Sequence, residues 1–322
     1  MVWLISSFVF IAALLTLYRA LSSGWAWRLA VDTPNERSLH VRPTPRVGGL
    51  LVMPWGLAAA WMLSDGGDLA PVLGAAAALL AVSFLDDRYG MPVVLRFGLH
   101  LLAALVVAWL HAPALWLVLP LALALGWMTN LYNFMDGADG IAGGMAVAGF
   151  GAYAWAAWQV GDPALAQGSL ALLVVALAFL CFNFPPARIF MGDGGSIPLG
   201  FLAGALGLVG WTRNCWPIWF PVLVFSPFIV DASVTLLRRL SRGEKVWQAH
   251  REHCYQKLVR SGWSHRRLLL AAYPLMAAAG GSAVLLREAS PGVVVMGAVS
   301  WLLAYALMLL AVERHWRARG NA

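Results

Sequence analysis

The stretch Asn130-Leu131-Tyr132-Asn133-Phe134-Met135-Asp136-Gly137-Ala138-Asp139-Gly140 sets two carboxylates and two amides directly after a long apolar run. Polar groups gathered at the end of a membrane helix are costly to place, so they point to a site before they point to packing. Composition supports the membrane part of that reading. The 322-residue chain is 61% hydrophobic and 11% charged, with 17 Trp and a mean hydropathy of +0.74. Soluble domains carry about 45–50% apolar and about 25% charged residues. The expected fold is therefore an all-α integral membrane protein, a single polytopic domain over residues 1–322.

With roughly 20 apolar residues to a span and about 17 as the lower bound, eleven transmembrane helices are expected. They lie near 3–23, 48–64, 69–85, 94–111, 113–134, 141–159, 168–184, 196–213, 216–236, 268–287 and 291–312. Only His111-Ala112-Pro113 separates the fourth from the fifth, and the proline favours a break there. The run Val2–Leu21 has no Lys or Arg ahead of it and no small-residue cleavage pattern, which favours a retained first helix over a signal peptide.

Of the 22 Lys and Arg residues, 20 fall at one set of helix ends, and only Arg213 and Arg287 fall at the other. The first set is cytoplasmic by the positive-inside rule, which puts the N-terminus outside and the C-terminus inside and requires an odd number of spans. The net charge of +7 is then largely topological. The partner it implies is the lipid bilayer and not a nucleic acid. Cys181, Cys215 and Cys254 match neither metal-site nor disulfide spacing and are read as free thiols. No internal repeat is evident, so a transporter built from inverted halves gains no support.

The acids gather on the same side as the bases, which topology does not require. Asp86-Asp87 end the third helix, and Asp136 with Asp139 end the fifth. At helix C-termini the dipole disfavours negative charge, so a positive partner is expected. A hard divalent cation held by oxygen ligands is economical, Mg²⁺ above all when a phosphate shares the coordination, with Mn²⁺ as the alternative. Asp193, in Phe190-Met191-Gly192-Asp193-Gly194-Gly195-Ser196, precedes the eighth helix, where glycines free N–H groups for phosphate oxygens. The same residues also admit plainer readings: solvated helix ends at headgroup depth, and an N-cap with turn glycines.

Asp231 lies deeper, in Phe225-Ser226-Pro227-Phe228-Ile229-Val230-Asp231, and either pairs with Arg238 or Arg239 or faces the site. The long loop 237–267 carries His250, Arg251 and His253, better suited to phosphate or sugar contact than to a soft metal, or else a solvated basic loop on anionic lipid. His100 and His111 are read as packed or interfacial. The cytoplasmic loops at about 24–47, 86–94, 135–141, 185–196 and 237–267 would together build the site.

Together these motifs resemble one family, the polyprenyl-phosphate N-acetylhexosamine-1-phosphate transferases of the glycosyltransferase 4 type. The resemblance rests on Pro34-Asn35-Glu36-Arg37-Ser38 with Pro45-Arg46-Val47-Gly48-Gly49, on Asp86-Asp87, and on Asn130-x-x-Asn133-x-x-Asp136-Gly137-x-Asp139-Gly140. It continues through Phe190-Met191-Gly192-Asp193-x-Gly195-Ser196 and His250-x-x-His253. The wording is most similar to the O-antigen-initiating branch, related to the phospho-N-acetylmuramoyl-pentapeptide transferase. The resemblance implies transfer of a sugar-1-phosphate from a UDP-N-acetylhexosamine to undecaprenyl phosphate, with UMP released, on the cytoplasmic face of a bacterial inner membrane. Homodimeric assembly is compatible with it.

In family terms Asp193 corresponds to the Mg²⁺ ligand, and Asp86 and Asp87 to the pair serving the acceptor phosphate and the metal. Asp136 and Asn133 correspond to the group around the sugar pyrophosphate, and Asp139 to a uracil contact. Asn130, Gly192, Gly195, Ser196, Arg46, Arg96, His250, Arg251 and His253 are the further substrate-binding candidates. A phosphatidyltransferase using CDP-alcohols lacks its contiguous acidic motif here. A transporter or lipid flippase without transferase activity is the remaining alternative, and it calls for charges at mid-membrane depth.

Overall fold

The structure is a computed structural model that describes residues 1–34, 39–64, 67–246, 248 and 250–320. Asn35-Glu36-Arg37-Ser38 of the first-loop motif, and Asp65, lie outside the described residues. The chain runs α1 (Val2–Ser22), α2 (Trp25–Leu29), β1 (Val31–Asp32), β2 (Thr44–Pro45), α3 (Gly48–Leu63), α4 (Ala70–Tyr89) and α5 (Val93–His111). A 3₁₀ turn, Leu115–Leu117, leads into α6 (Val118–Met135). Then come α7 (Ile141–Gln159), α8 (Pro163–Asn183), α9 (Asp193–Thr212), α10 (Trp219–Val224) and α11 (Ser226–Ser241). The chain closes with α12 (Cys254–Arg260), α13 (His265–Leu286) and α14 (Pro291–Ala318).

The protein is all-α and polytopic. Among the described residues eight helices are long and apolar enough to cross a membrane: α1, α4, α5, α6 with its 3₁₀ turn, α8, α9, α13 and α14. The apolar α3 is shorter, at 16 residues. The segment expected as one helix over 216–236 is two, broken at Phe225. Pro227 has no N–H to give the Leu223 carbonyl, and the Ser226 hydroxyl donates to that oxygen instead at 2.7 Å.

The centre of the bundle is α9, the most deeply buried of these helices, which packs against α3, α4, α5 and α6. Small residues permit this. A Cβ on Gly200 would lie 2.6 Å from Tyr132 Cβ and 2.9 Å from the Met128 carbonyl of α6, so only glycine allows the two backbones to approach so closely. Least enclosed is α14, which lies against α12 and α13.

The first loop is stitched onto the start of α9. β1 and β2 pair antiparallel, Val31 with Pro45 and Asp32 with Thr44. Phe190 N–H then donates to the Pro45 carbonyl (2.7 Å), Gly48 N–H to Phe190 (2.9 Å) and Gly49 N–H to Met191 (2.8 Å). The ladder fixes Arg46 beside the Gly192–Asp193 turn. The ends of α4 and α6 and the starts of α3, α9 and α13 thus converge at one end of the bundle. The opposite end is tied by Arg213, which bonds both oxygens of Asp162 (3.2 and 3.0 Å) and reaches Asp68 at 3.3 Å.

Candidate active site

The carboxylates of the convergent end come from three places: the end of α4, the α6–α7 turn and the start of α9. Asp86 and Asp87 occupy the last turn of α4, after which Gly90, with φ of 68°, turns the chain back so that Arg96 in the first turn of α5 faces them. Asp86 Oδ1 accepts the Met91 N–H at 2.7 Å, and Arg96 Nη1 sits 2.8 Å from Asp86 Oδ2 and 3.8 Å from Asp193 Oδ2. Arg46 Nη2 donates to Asp87 Oδ1 at 2.7 Å. The positive charge expected at the end of α4 is therefore supplied by two arginines.

Asp136 is placed differently. Its carboxylate has no hydrogen-bond or ion-pair partner among the described residues, and its principal charged neighbour is another carboxylate, Asp193. Burial, reinforced by Asp193, pushes the Asp136 carboxyl well above the usual range. A fold does not leave two acids facing one another without a compensating charge cheaply. Among the described residues no three His, Cys, Asp or Glu side chains form a ready-made metal cluster. The donors present, Asp136 and Asp193 with Asp87 nearby, are nonetheless all hard oxygens, which fits Mg²⁺ and does not fit a soft metal.

A cavity of about 150 Å³ opens between these elements, lined by the expected Arg46, Asn133, Asp136, Asp139, Gly192 and Asp193. Asp32, His40, Asn183, Phe190 and His265 also line it and were not singled out by sequence reasoning as site residues. His40 packs edge-on against Phe190, with ring centroids 4.8 Å apart. His265 Nδ1 is 3.0 Å from Asp139 Oδ1, and Ala187 N–H donates to Asp139 Oδ2 at 3.0 Å. Burial opposes the Asp139 charge, yet these two hydrogen bonds outweigh it and hold the carboxyl below its usual range. The sequence carries only a weak sign of His265, a histidine just after Ser264, whose hydroxyl caps α13. Nothing local couples it to a residue 126 positions earlier.

Several candidates shape the cavity, Gly192 from its lining and the others from behind it. Gly192 adopts φ of 70° and a Cβ there would strike the Arg46 carbonyl, so glycine is what lets β2 lie against this turn. A Cβ on Gly195 would sit 2.7 Å from Gly49 Cα, which makes Gly195 the contact between α3 and α9. The N–H groups of Gly195 and Ser196 already bond the Gly192 carbonyl (2.9 and 3.1 Å), and the Ser196 hydroxyl donates to Asn133 Oδ1 at 2.6 Å. Asn130 Nδ2 donates to the Gly126 carbonyl one turn back, at 2.7 Å.

The histidine loop stands behind the cavity wall. His253 is 2% exposed, with its ring 4.8 Å from that of His250 and 6.5 Å from that of Phe134. Burial, with His253 alongside, brings His250 down to about 4. The Arg251 carbonyl accepts from Arg260 at 3.1 Å. Asp231 neither pairs with Arg238 or Arg239 nor faces the cavity. Arg239 is held by Glu244 (2.7 Å) and Arg238 approaches Glu313 (3.8 Å), while Asp231 accepts backbone N–H groups from α12. All three cysteines are free, and His100 is 2% exposed in the packing of α5.

The sequence model of Glycosyl transferase family 4 matches residues 69–210, a span that holds Asp86-Asp87, the Asn130–Gly140 stretch and the Phe190–Ser196 turn. The probable undecaprenyl-phosphate N-acetylglucosaminyl 1-phosphate transferase of Bacillus subtilis is 28% identical over 88% of this chain and 82% of its own length. The decaprenyl-phosphate N-acetylglucosaminephosphotransferase of Mycolicibacterium smegmatis is 29% identical over 94% and 87%. The undecaprenyl-phosphate alpha-N-acetylglucosaminyl 1-phosphate transferase of Yersinia pestis is 28% identical over 89% and 85%. The matched model and the names of these relatives support the polyprenyl-phosphate N-acetylhexosamine-1-phosphate transferases as the family this chain is similar to. Pro45–Gly49 and the His250–His253 loop fall outside the matched span, and the backbone ladder of residues 45–49 and the packing of α12 bring them to the same end.

Proposed function

We propose that this protein transfers N-acetylhexosamine-1-phosphate from a UDP-N-acetylhexosamine to undecaprenyl phosphate, giving undecaprenyl-diphospho-sugar and UMP. The product would begin a lipid-linked envelope polysaccharide of the O-antigen kind, made at the cytoplasmic face of a bacterial inner membrane. The observation that carries this reading is the pairing of Arg46 and Arg96 with Asp87 and Asp86 beside Asp136, which has no partner among the described residues, and Asp193, which Arg96 approaches at 3.8 Å. Such a site is short of cations until phosphates and a metal arrive together. The names of the relatives supply the substrate class.

In the reaction a phosphate oxygen of the acceptor bonds to the sugar-bearing phosphorus as that phosphorus separates from the bridging oxygen, which departs with UMP. Two anions must meet, so neutralisation and alignment dominate the barrier. Arg46 and Arg96 draw the phosphates to the carboxylate end. Asp193, Asp136 and Asp87 would hold Mg²⁺, with Mn²⁺ as substitute. When bound, the ion shields the phosphate oxygens from each other and from the carboxylates. A phosphate monoester loses its second proton near ~6, so at neutral pH the acceptor is already largely ionised and Asp86 and Asp87 serve to position rather than to deprotonate. Asp139, oriented by His265 and Ala187, forms the far wall for the nucleoside.

The test is incubation of purified protein in lipid nanodiscs with Mg²⁺, undecaprenyl phosphate and each labelled UDP-N-acetylhexosamine in turn. Equal amounts of UMP and lipid-linked pyrophosphate sugar are expected from at least one donor. No UMP from any donor would overturn the proposal and return the transporter reading.

A further inference from the structure

The proposed reaction leaves one buried acid without a task. Asp231 lies in the second turn of α11 and is 4% exposed. Its Oδ1 accepts the Cys254 N–H at 2.8 Å and its Oδ2 the Tyr255 N–H at 3.2 Å. Thr235, one turn along, adds a hydroxyl to Oδ1 at 3.3 Å. Cys254 and Tyr255 are the first two residues of α12, and the first N–H groups of a helix have no partner inside it. Here a carboxylate from another helix, 23 residues earlier, satisfies two of them. At the same turn Gln256 Oε1 accepts the His253 N–H at 3.2 Å, so the entry to α12 is held from both sides.

What α12 presents from this mooring is Tyr255, which is 3% exposed. Its hydroxyl donates to the Phe134 carbonyl at 3.0 Å, and a Cβ on Gly137 would strike that hydroxyl. The side chain therefore fits only because residue 137 is glycine. Phe134 and Gly137 flank Asp136 in the chain. The path from Asp231 is thus continuous: carboxylate, α12 N–H groups, Tyr255, and the turn that carries Asp136.

We propose that Asp231 is a positioning residue: by mooring α12 it aims the Tyr255 hydroxyl at the Phe134–Gly137 turn and so fixes where Asp136 enters the cavity. The proposal rests on the transferase reading given above. Asp231 touches no substrate. A packing acid would contribute stability alone, whereas this one ends, two contacts later, on the residue that most lacks a partner.

Two substitutions probe the two ends of the path. Asp231→Asn keeps the shape but trades an acceptor oxygen for an amide that cannot accept the second N–H. Tyr255→Phe removes only the hydroxyl. Each is expected to lower kcat about tenfold or more and to raise the Mg²⁺ concentration for half-activity, because a displacement of order 1 Å costs up to about a hundredfold in rate. KM for undecaprenyl phosphate is expected to stay within about twofold, and the double variant to be no worse than the weaker single one, as members of one path are non-additive. Loss of melting temperature with kcat and Mg²⁺ dependence unchanged would overturn the proposal.

A second readout does not depend on activity. In a Cys181→Ser background, buried Cys254 is expected to react with maleimide faster once Asp231→Asn frees the start of α12, while buried Cys215 does not change. If the unaltered protein releases no UMP, the transferase reading has failed, and the thiol rates still decide whether Asp231 holds α12. Unchanged labelling of Cys254 overturns the mooring, and faster labelling with unchanged kcat overturns the positioning.

Discussion

Asp136 carries a conflict that no protein side chain relieves. It faces Asp193 from a partly buried position without a hydrogen-bond donor. A cation binding both acids would stabilise the folded state by mass action, about 2.7 kcal/mol at a hundred times its Kd. Mg²⁺ should accordingly raise the melting temperature of the unaltered protein by several degrees in a chelator-and-readdition experiment. Asp136→Asn removes the repulsion, so the metal-free variant should melt higher than the unaltered protein, show a reduced Mg²⁺ response, and lose about a hundredfold or more of its UMP release. An undiminished Mg²⁺ response would exclude Asp136 from the metal. His250 makes a separate, pH-dependent prediction. Burial lowers it to about 4 in the fold, whereas it titrates near ~6.5 when unfolded. The folded state thus favours the neutral ring. Its contribution is complete above about 6.5 and is lost as pH falls from there toward 4, since the unfolded chain takes up the proton first. Melting temperatures recorded from pH 7.5 down to 4.5 should drop less steeply in His250→Gln, by an amount on the order of 1 kcal/mol once partial exposure is discounted. Equal slopes would show that His250 is not the group responsible.

At the level of elements, the junction of α3 with α9 sets the cavity's geometry, and two adjacent glycines separate its parts. A Cβ on Gly195 would meet Gly49 Cα at 2.7 Å, backbone against backbone, with nowhere to yield. On Gly194 the nearest atoms are Leu80 Cδ1 at 3.6 Å and Leu50 N at 3.7 Å, ordinary contact. Gly195→Ala should therefore cost about 1–3 kcal/mol by overpacking and lower turnover by moving Arg46 away from Asp193. Gly194→Ala should be neutral or slightly stabilising, since alanine is the better helix former by roughly 0.5–1 kcal/mol. Thermal melts and UMP-release rates on both variants compare them directly, and equal damage would mean that the contact is not what matters. This junction also shows what a linear sequence can disclose. Each membrane helix announces itself through its own apolar run, so the segments matching α1 and α4–α9 stand out one by one. The break at Phe225 does not, because Pro227 suits the first turn of a new helix as well as the edge of an old one. The glycines of Gly192–Ser196 were legible as special, but read as phosphate-binding N–H groups. Their packing partners, Arg46 and Gly49, come from the loop before α3 and its first turn, more than a hundred residues earlier.

Across the whole molecule the two ends have separate duties. The acids of the site were visible because they break apolar runs, whereas Arg46, 41 residues from its partner Asp87, was reached only through the family resemblance. His265 behind Asp139 was not visible, and Asp231 was visible as a deep acid but its place under α12 was not, because both act through contacts that only the assembled bundle creates. At the opposite end Asp162 does three things: it caps α8 by accepting the Leu165 N–H at 2.9 Å, receives both bonds from Arg213 Nη1, and lies 3.7 Å from the Cys215 thiol. Without it Arg213 retains, among the described residues, the ion pair with Asp68, whose side chain is 78% exposed and so contributes little. Loss of a cap costs about 0.5–2 kcal/mol, and an orphaned, partly buried arginine adds to that. Asp162→Ala is expected to lower the melting temperature by several degrees. Asp162→Asn, which keeps the cap and loses the charge, should fall between it and the unaltered protein. The hydrocarbon core of a bilayer, about 30 Å, separates this end from the site, so neither variant should change KM for donor or acceptor in the enzyme that remains folded. A tenfold rise in either KM would show that the Asp162–Arg213 tie and the site at the opposite end form one mechanical unit, transmitted through α8 and α9, the helices that the Asp162–Arg213 pair connects.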